Sequence, residues 1–453
     1  MTLFTRNTDT SLLIKLALPI ILSSLLQLMY NVIDLFWVGH IGTDAVAAVG
    51  TATFFINLGW AISSIVTIGA SIKISHAVGA KDTEQSKRYA SAALVAAVVI
   101  GLVYTAVLLL FPTQLISFFE IPSVWVNEQA VHYLRISALG VILSFLNLIF
   151  TAILNAHGKT KLSLRAVLYG NIINIILDPL FIIVLDGGVA GAAWATVGSR
   201  TASLLYFYLI IYKGKLIEIS FKKMCSRDFT QLLKVGVPSA TQRILFTLIA
   251  IVMGRIVAEW GSEGIAAQKV GLQIEAISFM IIGGMQQAIS IMVGQSYGAR
   301  QYGRIQILYL SALKIVGIVG VITTILFLSI PTLLVGLFVS DPVTVEIGKS
   351  YLQIVGLSQL FMCLEMVTGG VYNGQGLTKY SASISIAFTV LRIPLALYLA
   401  NYTALGISGV WWSIAITSMI KGVVSASIYR RRTKQLQAMQ ADEDLKLATT
   451  LND

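Results

Sequence analysis

Two short series of polar residues interrupt apolar stretches of this chain, and each ends on an aspartate. Gln27, Tyr30, Asn31 and Asp34 follow steps of three and four, so on a helix they share one face. Asn171, Asn174 and Asp178 sit at i, i+3 and i+7, again on one face, and Pro179 follows at once. A proline there removes a backbone donor and loosens the local hydrogen-bond ladder. A carboxylate set among amides in an apolar run can take up a proton, or hold sodium through oxygen ligands. Near the middle of a bilayer a carboxylate costs roughly 2.5–3.5 kcal/mol on insertion scales, so such stripes belong on interior faces. The plainer reading is a pair of hydrogen-bonded aspartates near helix ends.

The second half of the chain carries a different set of charges within apolar runs: Arg243, Arg255, Glu275, Glu365 and Arg392. Arg243 and Arg392 are expected to pair with Glu275 or Glu365 as a structural salt bridge, with Glu365 as a second cation or substrate site the sharper alternative. Arg255 is placed to extend towards a membrane interface. Pro19 and Pro238, early in their runs, predict helix kinks, and with Pro179 they are the hinge candidates.

Several chemistries find no support. There is no GxxxxGK[ST] phosphate-binding loop, so ATP is an unsupported energy source. The histidines His40, His76, His132 and His157 are widely separated, near run ends where solvation is expected, and Cys225 and Cys363 make neither a disulfide framework nor a metal-ligand spacing. No structural metal and no cofactor are expected beyond a coupling proton or sodium ion. A membrane-embedded enzyme would need a nucleophile–base or metal cluster at one depth, and the spacing supplies none.

The elements that must position these residues follow from composition. Of 453 residues 56% are hydrophobic and only 12% charged, about half the charge of a soluble protein, and mean hydropathy is +0.82. Apolar runs long enough to cross a hydrocarbon core of about 30 Å fall at 13–38, 47–72, 90–112, 131–155, 163–185 and 189–212. Six more fall at 231–257, 265–293, 306–335, 350–373, 381–401 and 405–428. Runs of this length are helices rather than barrel strands. The first is too long, and lacks a small-residue cleavage site, for a removable signal peptide. The net charge of +11 gathers in alternate loops, among them Lys81, Lys87, Arg88, Lys159, Lys161, Lys213, Lys215, Lys222, Lys223, Arg300 and Arg304, and in the tail at Arg430, Arg431 and Arg432. That is the positive-inside bias, which predicts both termini in the cytoplasm and removes nucleic acid as a reason for the charge.

The chain also repeats itself. At an offset of 219, Pro19 meets Pro238, Gly42 meets Gly261 and Pro112 meets Pro331. At 218, Tyr133 meets Tyr351, Asn155 meets Asn373, Gly188 meets Gly406 and Trp194 meets Trp412. Six spans is an even number, so the second half enters the membrane in the orientation of the first, as in parallel-repeat transporters. The expected organisation is a six-helix lobe at 1–212, a cytoplasmic linker at 213–230, a second lobe at 231–428 and a tail at 429–453. Scaffold is shared but charge is not: Asp34 aligns with Met253, Asp178 with Ala396, Arg392 with Asn174 and Glu365 with Asn147.

The stretch LPIILSSLLQLMYNVIDLFWVGHIGTDAVAAVG resembles the first helix and following loop of the multidrug and toxic compound extrusion (MATE) family. NIINIILDPLFI resembles its fifth helix, and MVGQSYGA and LNAHGKTKLS its recurrent loop motifs. The resemblance, to prokaryotic members, spans essentially the whole chain. It implies an all-α membrane protein of twelve helices in two V-arranged lobes. It also implies a monomer in the cytoplasmic membrane, in contact with lipid, that exports organic cations or amphipathic compounds in exchange for protons or sodium. It places the first-lobe cation site on Asp34, Asn174, Asp178 and Thr196. Many sodium-linked members carry a seventh-helix glutamate where this chain has Phe246, and the tenth-helix acid has only an approximate counterpart in Glu365, which tilts the expectation towards first-lobe proton coupling. The alternative is a flippase for lipid-linked saccharides, which would use a strongly cationic cavity built on Arg243, Arg255 and Arg392.

Overall fold

The computed structural model describes residues 2–214 and 224–450, and these are helical with short turns and no strand. Residues 215–223 of the expected linker, with Lys215, Lys222 and Lys223, lie outside the described residues. In the first half the helices are α1 (Thr2–Gly39), α2 (Thr43–Gly79), α3 (Thr83–Leu110), a short α4 (Pro112–Ser117), α5 (Val124–Ala156), α6 (Thr160–Pro179) and α7 (Gly188–Gly214). In the second they are α8 (Ser226–Val257), α9 (Gly261–Gly298), α10 (Tyr302–Ser329), a short α11 (Pro331–Gly336), α12 (Pro342–Gly356), α13 (Gln359–Gly374), α14 (Thr378–Asn401) and α15 (Ile407–Thr450). The expected tail from 429 continues α15 rather than forming a separate segment.

Nine described helical stretches are long and apolar enough to cross a membrane, and ten if α12 and α13 form one bent span. One of the nine, Ser226–Gly298, holds both α8 and α9. Counting α8 and α9 separately, the bent pair as one and α7 with them, the described helices make twelve spans.

The internal repeat reaches the element boundaries. Shifting by 219 carries Thr83–Leu110 onto Tyr302–Ser329 and Pro112–Ser117 onto Pro331–Gly336, and shifting by 218 carries Val124–Ala156 onto Pro342–Gly374. Pro112 and Pro331 each occupy the first turn of their short helices, where a missing N–H costs nothing. Gly158 and Gly376 take φ of 75° and 77°, and Gly188 and Gly406 take 50° and 52°. These turns need a left-handed residue, and glycine adopts it without a Cβ penalty. The halves differ where α5 is continuous but its counterpart bends by 52° between α12 and α13. There Ser358 Oγ donates to the Val355 carbonyl at 2.8 Å, a local bond that competes with the helical ladder. In α6 the loss of the Pro179 N–H is followed by a π-helical turn at Leu180–Val184.

The chain divides into two compact units, Leu22–Ala240 on one side and Met1–Ile21 with Thr241–Asp453 on the other. The dividing points fall inside α1 and α8, two residues beyond Pro19 and Pro238. Within the first unit, the early turns of α8 cross α2 so closely that a Cβ on Gly236 would run into the Ile65 carbonyl, and one on Gly69 into the Leu232 carbonyl. Small residues at such crossings let helix backbones approach. Arg88 and Asp228 tie the starts of α3 and α8 together, with Nη2 and Nε reaching the two carboxylate oxygens at 2.7 and 3.1 Å. In the second unit, Asp9 at the start of α1 accepts from Arg304 at the start of α10 at 2.7 Å. Asp9 and Asp228 are 219 apart, the same place in the two repeats.

His157 is not solvated as expected but half-buried, its Nδ1 at 2.8 Å from the Ile153 carbonyl and its Nε2 at 3.1 Å from Ser86 Oγ. That burial holds its pKa below the ordinary histidine value.

Candidate functional site

In the first unit α1, α6 and α7 bring one group of polar residues together. Asn174 and Asp178 are fully buried on α6, and Asn174 Nδ2 donates to Asp178 Oδ1 at 2.9 Å. Across from them Tyr30 of α1 donates its hydroxyl to Thr196 Oγ1 of α7 at 3.0 Å. Asp34, one turn beyond Tyr30 on the same face, is half-buried and within electrostatic reach of Asp178. Three oxygens of this group have no hydrogen-bond partner: Asp34 Oδ1, Asn174 Oδ1 and Asp178 Oδ2. Buried acceptors are normally satisfied by protein groups, ordered water or bound ions.

The two predicted stripes are not equally engaged. Asn171 is buried but donates to the Leu26 carbonyl at 2.8 Å, clasping α6 to α1 rather than joining the acids. Gln27 and Asn31 contact one another at 3.5 Å on the exposed side of α1. The group that faces inward is therefore Tyr30, Asp34, Asn174, Asp178 and Thr196.

Arg200 belongs to this group, and the sequence reading missed it. It lies four residues beyond Thr196, hence on the same face of α7. Its guanidinium carbon sits 4.8 Å from the centre of the Tyr30 ring and 5.9 Å from that of Trp60, within the range of a cation–π contact. It also attracts the Asp34 carboxylate. Its backbone is fixed by Asn147, whose Nδ2 donates to the Arg200 carbonyl at 2.9 Å. A lone basic residue inside an apolar run was the available signal. An apolar groove of about 650 Å³ between α6 and α7, lined by residues including Leu177, Phe181, Trp194 and Leu205, contains none of the site acids.

In the second unit the expected pairing of Arg392 with a glutamate is corrected. Arg392 donates to two hydroxyls of α15, from Nε to Thr417 Oγ1 at 3.0 Å and from Nη2 to Ser418 Oγ at 2.9 Å. Two hydroxyls on the facing helix lie within hydrogen-bond reach, whereas the Glu365 and Glu275 charges act on it only from further off. Glu365 instead pairs with Lys421 of α15 at 2.9 Å and accepts from Ser385 at 3.4 Å. Glu275 accepts from Tyr351 and from Gln359, both at 3.1 Å. Arg243 is exposed and has no ion pair among the described residues, so its expected pairing with these glutamates is also corrected. Arg255 is exposed in the last turn of α8, on a side chain long enough to extend outward.

Twelve helical spans in two sequence repeats of six define a polytopic membrane protein of the kind built from parallel repeats, an architecture that transporters use. The MatE family model matches residues 19–180 and 238–398, once in each repeat, and the chain belongs to that family, whose members are transporters and not enzymes. It is 28% identical over 413 residues to a probable multidrug resistance protein NorM of Thermotoga maritima, covering 88% of this chain and 87% of that one. It is 24% identical over 408 residues to the multidrug export protein MepA of Staphylococcus aureus, covering 89% and 90%. Among solved structures it is similar to a multidrug resistance MATE family transporter in an outward-facing conformation. The TM-score is 0.89 at 25% identity, over 95% of this chain and 97% of that one. A MATE structure in a bent conformation shares the fold at a TM-score of 0.91 and 24% identity, over 96% and 98%.

Proposed function

We propose that this transporter is a secondary antiporter of the cytoplasmic membrane, acting as a monomer with both termini inside. It exports organic cations or amphipathic compounds in exchange for protons or sodium. The observation that carries this reading is the set of unpartnered oxygens of Asp34, Asn174 and Asp178, enclosed beside Tyr30 and Thr196. The family relatives named for multidrug resistance and export support the substrate class. No cofactor enters the reading.

The chemistry is competition for one charge. Asp34 and Asp178 repel when both are ionised, and an incoming proton or sodium ion relieves that repulsion. An organic cation relieves it equally, so the two are alternative ways of neutralising the same group. Alternating access turns that exclusivity into exchange. The alternative is a flippase for lipid-linked saccharides, which would draw on the charges of Arg243 and Arg392; Asp34 and Asp178 speak against it, since two carboxylates would repel an anionic substrate.

The test is efflux of a cationic dye in proteoliposomes with pH and sodium gradients imposed separately. Asp34→Asn and Asp178→Asn should each abolish gradient-driven efflux while the protein still inserts and gives a monodisperse elution profile. Undiminished efflux by both variants would refute the assignment.

A further inference from the structure

The carboxylates of the coupling site have a cationic neighbour of their own. Arg200 is half-buried, its guanidinium rests over Tyr30 at 4.8 Å and beside Trp60 at 5.9 Å, and no salt bridge joins it to Asp34 or Asp178 among the described residues. A guanidinium is always charged and loses little by stacking on aromatic faces. Two rings therefore hold it at a set position, near Asp34 but leaving Asp34 Oδ1 and Asp178 Oδ2 without a partner. Its backbone is pinned independently by Asn147. A lysine would not be held in this way, since its ammonium is a compact and strongly hydrated point charge.

The consequence is a matter of charge. Two ionised carboxylates alone would present two negative charges and call for two monovalent cations. With Arg200 alongside, the ionised site carries a net charge of one negative unit. We propose that Arg200 is a tethered counter-cation of the Asp34–Asp178 site, so that the site takes up a single exchangeable monovalent cation and holds sodium weakly. The repeat agrees with a role specific to this site. The position equivalent to Arg200 is Ser418, in the half that lacks the two aspartates. Scaffold needs common to both halves do not require an arginine there. Trp60 and Tyr30 then act as positioning residues, fixing how near the guanidinium stands to the acids.

This inference rests on the coupling role of Asp34 and Asp178, and the experiment separates the two. Sodium binding is measured with radioactive sodium on the purified full-length protein at fixed alkaline pH. The set comprises the wild type, Arg200→Met, Arg200→Lys, Asp34→Asn and the double variant Asp34→Asn/Arg200→Met. Removing only the guanidinium charge should tighten sodium binding at least tenfold, whereas Arg200→Lys, which keeps the charge, should stay within about threefold of the wild type. Asp34→Asn leaves Asp178 and Arg200 to cancel and should bind no measurable sodium. The double variant restores one uncompensated carboxylate and should recover binding near the wild-type level. Arg200→Met binding no tighter than the wild type would overturn the inference, as would a double variant no better than Asp34→Asn. Should Arg200→Met fail to fold, Arg200→Gln, which removes the same charge but keeps a polar side chain, decides in its place: sodium binding no tighter than the wild type would overturn the inference. If Asp34→Asn binds sodium as the wild type does, the site assignment itself falls.

Discussion

The ion pair between Glu365 and Lys421 allows a quantitative test of how the second unit is held. The two groups are 2.9 Å apart, with side chains only 16% and 7% exposed. Breaking a buried pair from one side typically costs about 3–5 kcal/mol, because a charge is left unpaired. Each single variant has its own ceiling, set by neutralising the survivor. At pH 7, protonating a glutamate from its ordinary value costs about 4 kcal/mol, and deprotonating a lysine about 5 kcal/mol. Glu365 keeps Ser385 at 3.4 Å and the nearby charge of Arg392 after Lys421 is lost. Lys421→Met should therefore cost about 3 kcal/mol and Glu365→Gln about 4–5 kcal/mol. The double variant Glu365→Gln/Lys421→Met leaves neither member of the pair behind without the other and should lie within about 1 kcal/mol of the wild type. The assay follows from the cysteines. Cys363 is 2% exposed on the same helix as Glu365, whereas Cys225 is exposed. In a Cys225→Ser background, a thiol-reactive fluorophore reports thermal opening of the second unit through Cys363 alone. The expected order of midpoints is wild type, double variant, Lys421→Met, then Glu365→Gln. A double variant as unstable as the sum of the two single ones would refute the reasoning, since the pair would then not be what holds those charges.

Two further expectations concern the scaffold. Gly236→Ala should destabilise the first unit by about 1–3 kcal/mol, because its Cβ would meet the Ile65 carbonyl and a backbone atom cannot swing aside. Gly50→Ala, where nothing lies within 4 Å, should instead stabilise α2 by about 0.5–1 kcal/mol; equal midpoints for these variants in a thermal melt would count against the crossing geometry. The folded pKa of His157 lies below its ordinary 6.5, first through burial and then through Lys159. The unfolded chain therefore binds a proton near pH 6.5 that the folded one refuses. Stability from this group is complete above that pH and is lost as pH falls below it. A melt series from pH 8 to 5 should show that loss, and His157→Gln should flatten it; an unchanged slope would remove His157 as its source.

Much of this was legible because membrane helices write their period and their cost into the sequence. Asp34 and Asp178 stood out as expensive groups at helical spacing, and the structure brings them within electrostatic reach. Pro112 and Pro331 matched in the repeat and each starts a short helix. What escaped was pairing between helices. Lys421 lies on α15 and Glu365 on α13, and no spacing rule links residues that meet only after folding. Arg200 escaped for a different reason: basic residues were weighed as markers of topology, and a single arginine in α7 was not weighed against the aspartates of α1 and α6. The bend between α12 and α13 was hidden because its residues remain apolar on both sides, so composition alone reads one straight span.

The repeat separates what the scaffold requires from what the site requires. Asp9 and Asp228 keep equivalent positions, and each is held by an arginine at the start of another helix, Arg304 and Arg88. Those arginines are not equivalent: Arg304 aligns with Gln85, and Arg88 with Ile307, one turn further along. A turn of helix separates two solutions to one need, so the need belongs to the architecture and not to inherited sequence alone. It lies in α1 and α8, the helices within which the two compact units divide. Buried charge obeys no such correspondence. Asp34 and Asp178 face Met253 and Ala396 in the repeat, and Glu365 and Lys421 face Asn147 and Ser203. One unit has open carboxylate oxygens beside a stacked guanidinium; the other has the closed pair of Glu365 and Lys421, with Glu275 satisfied by Tyr351 and Gln359. An open group can exchange a cation, whereas a closed pair excludes one, and this contrast supports the proposed coupling role of the unit that contains Asp34.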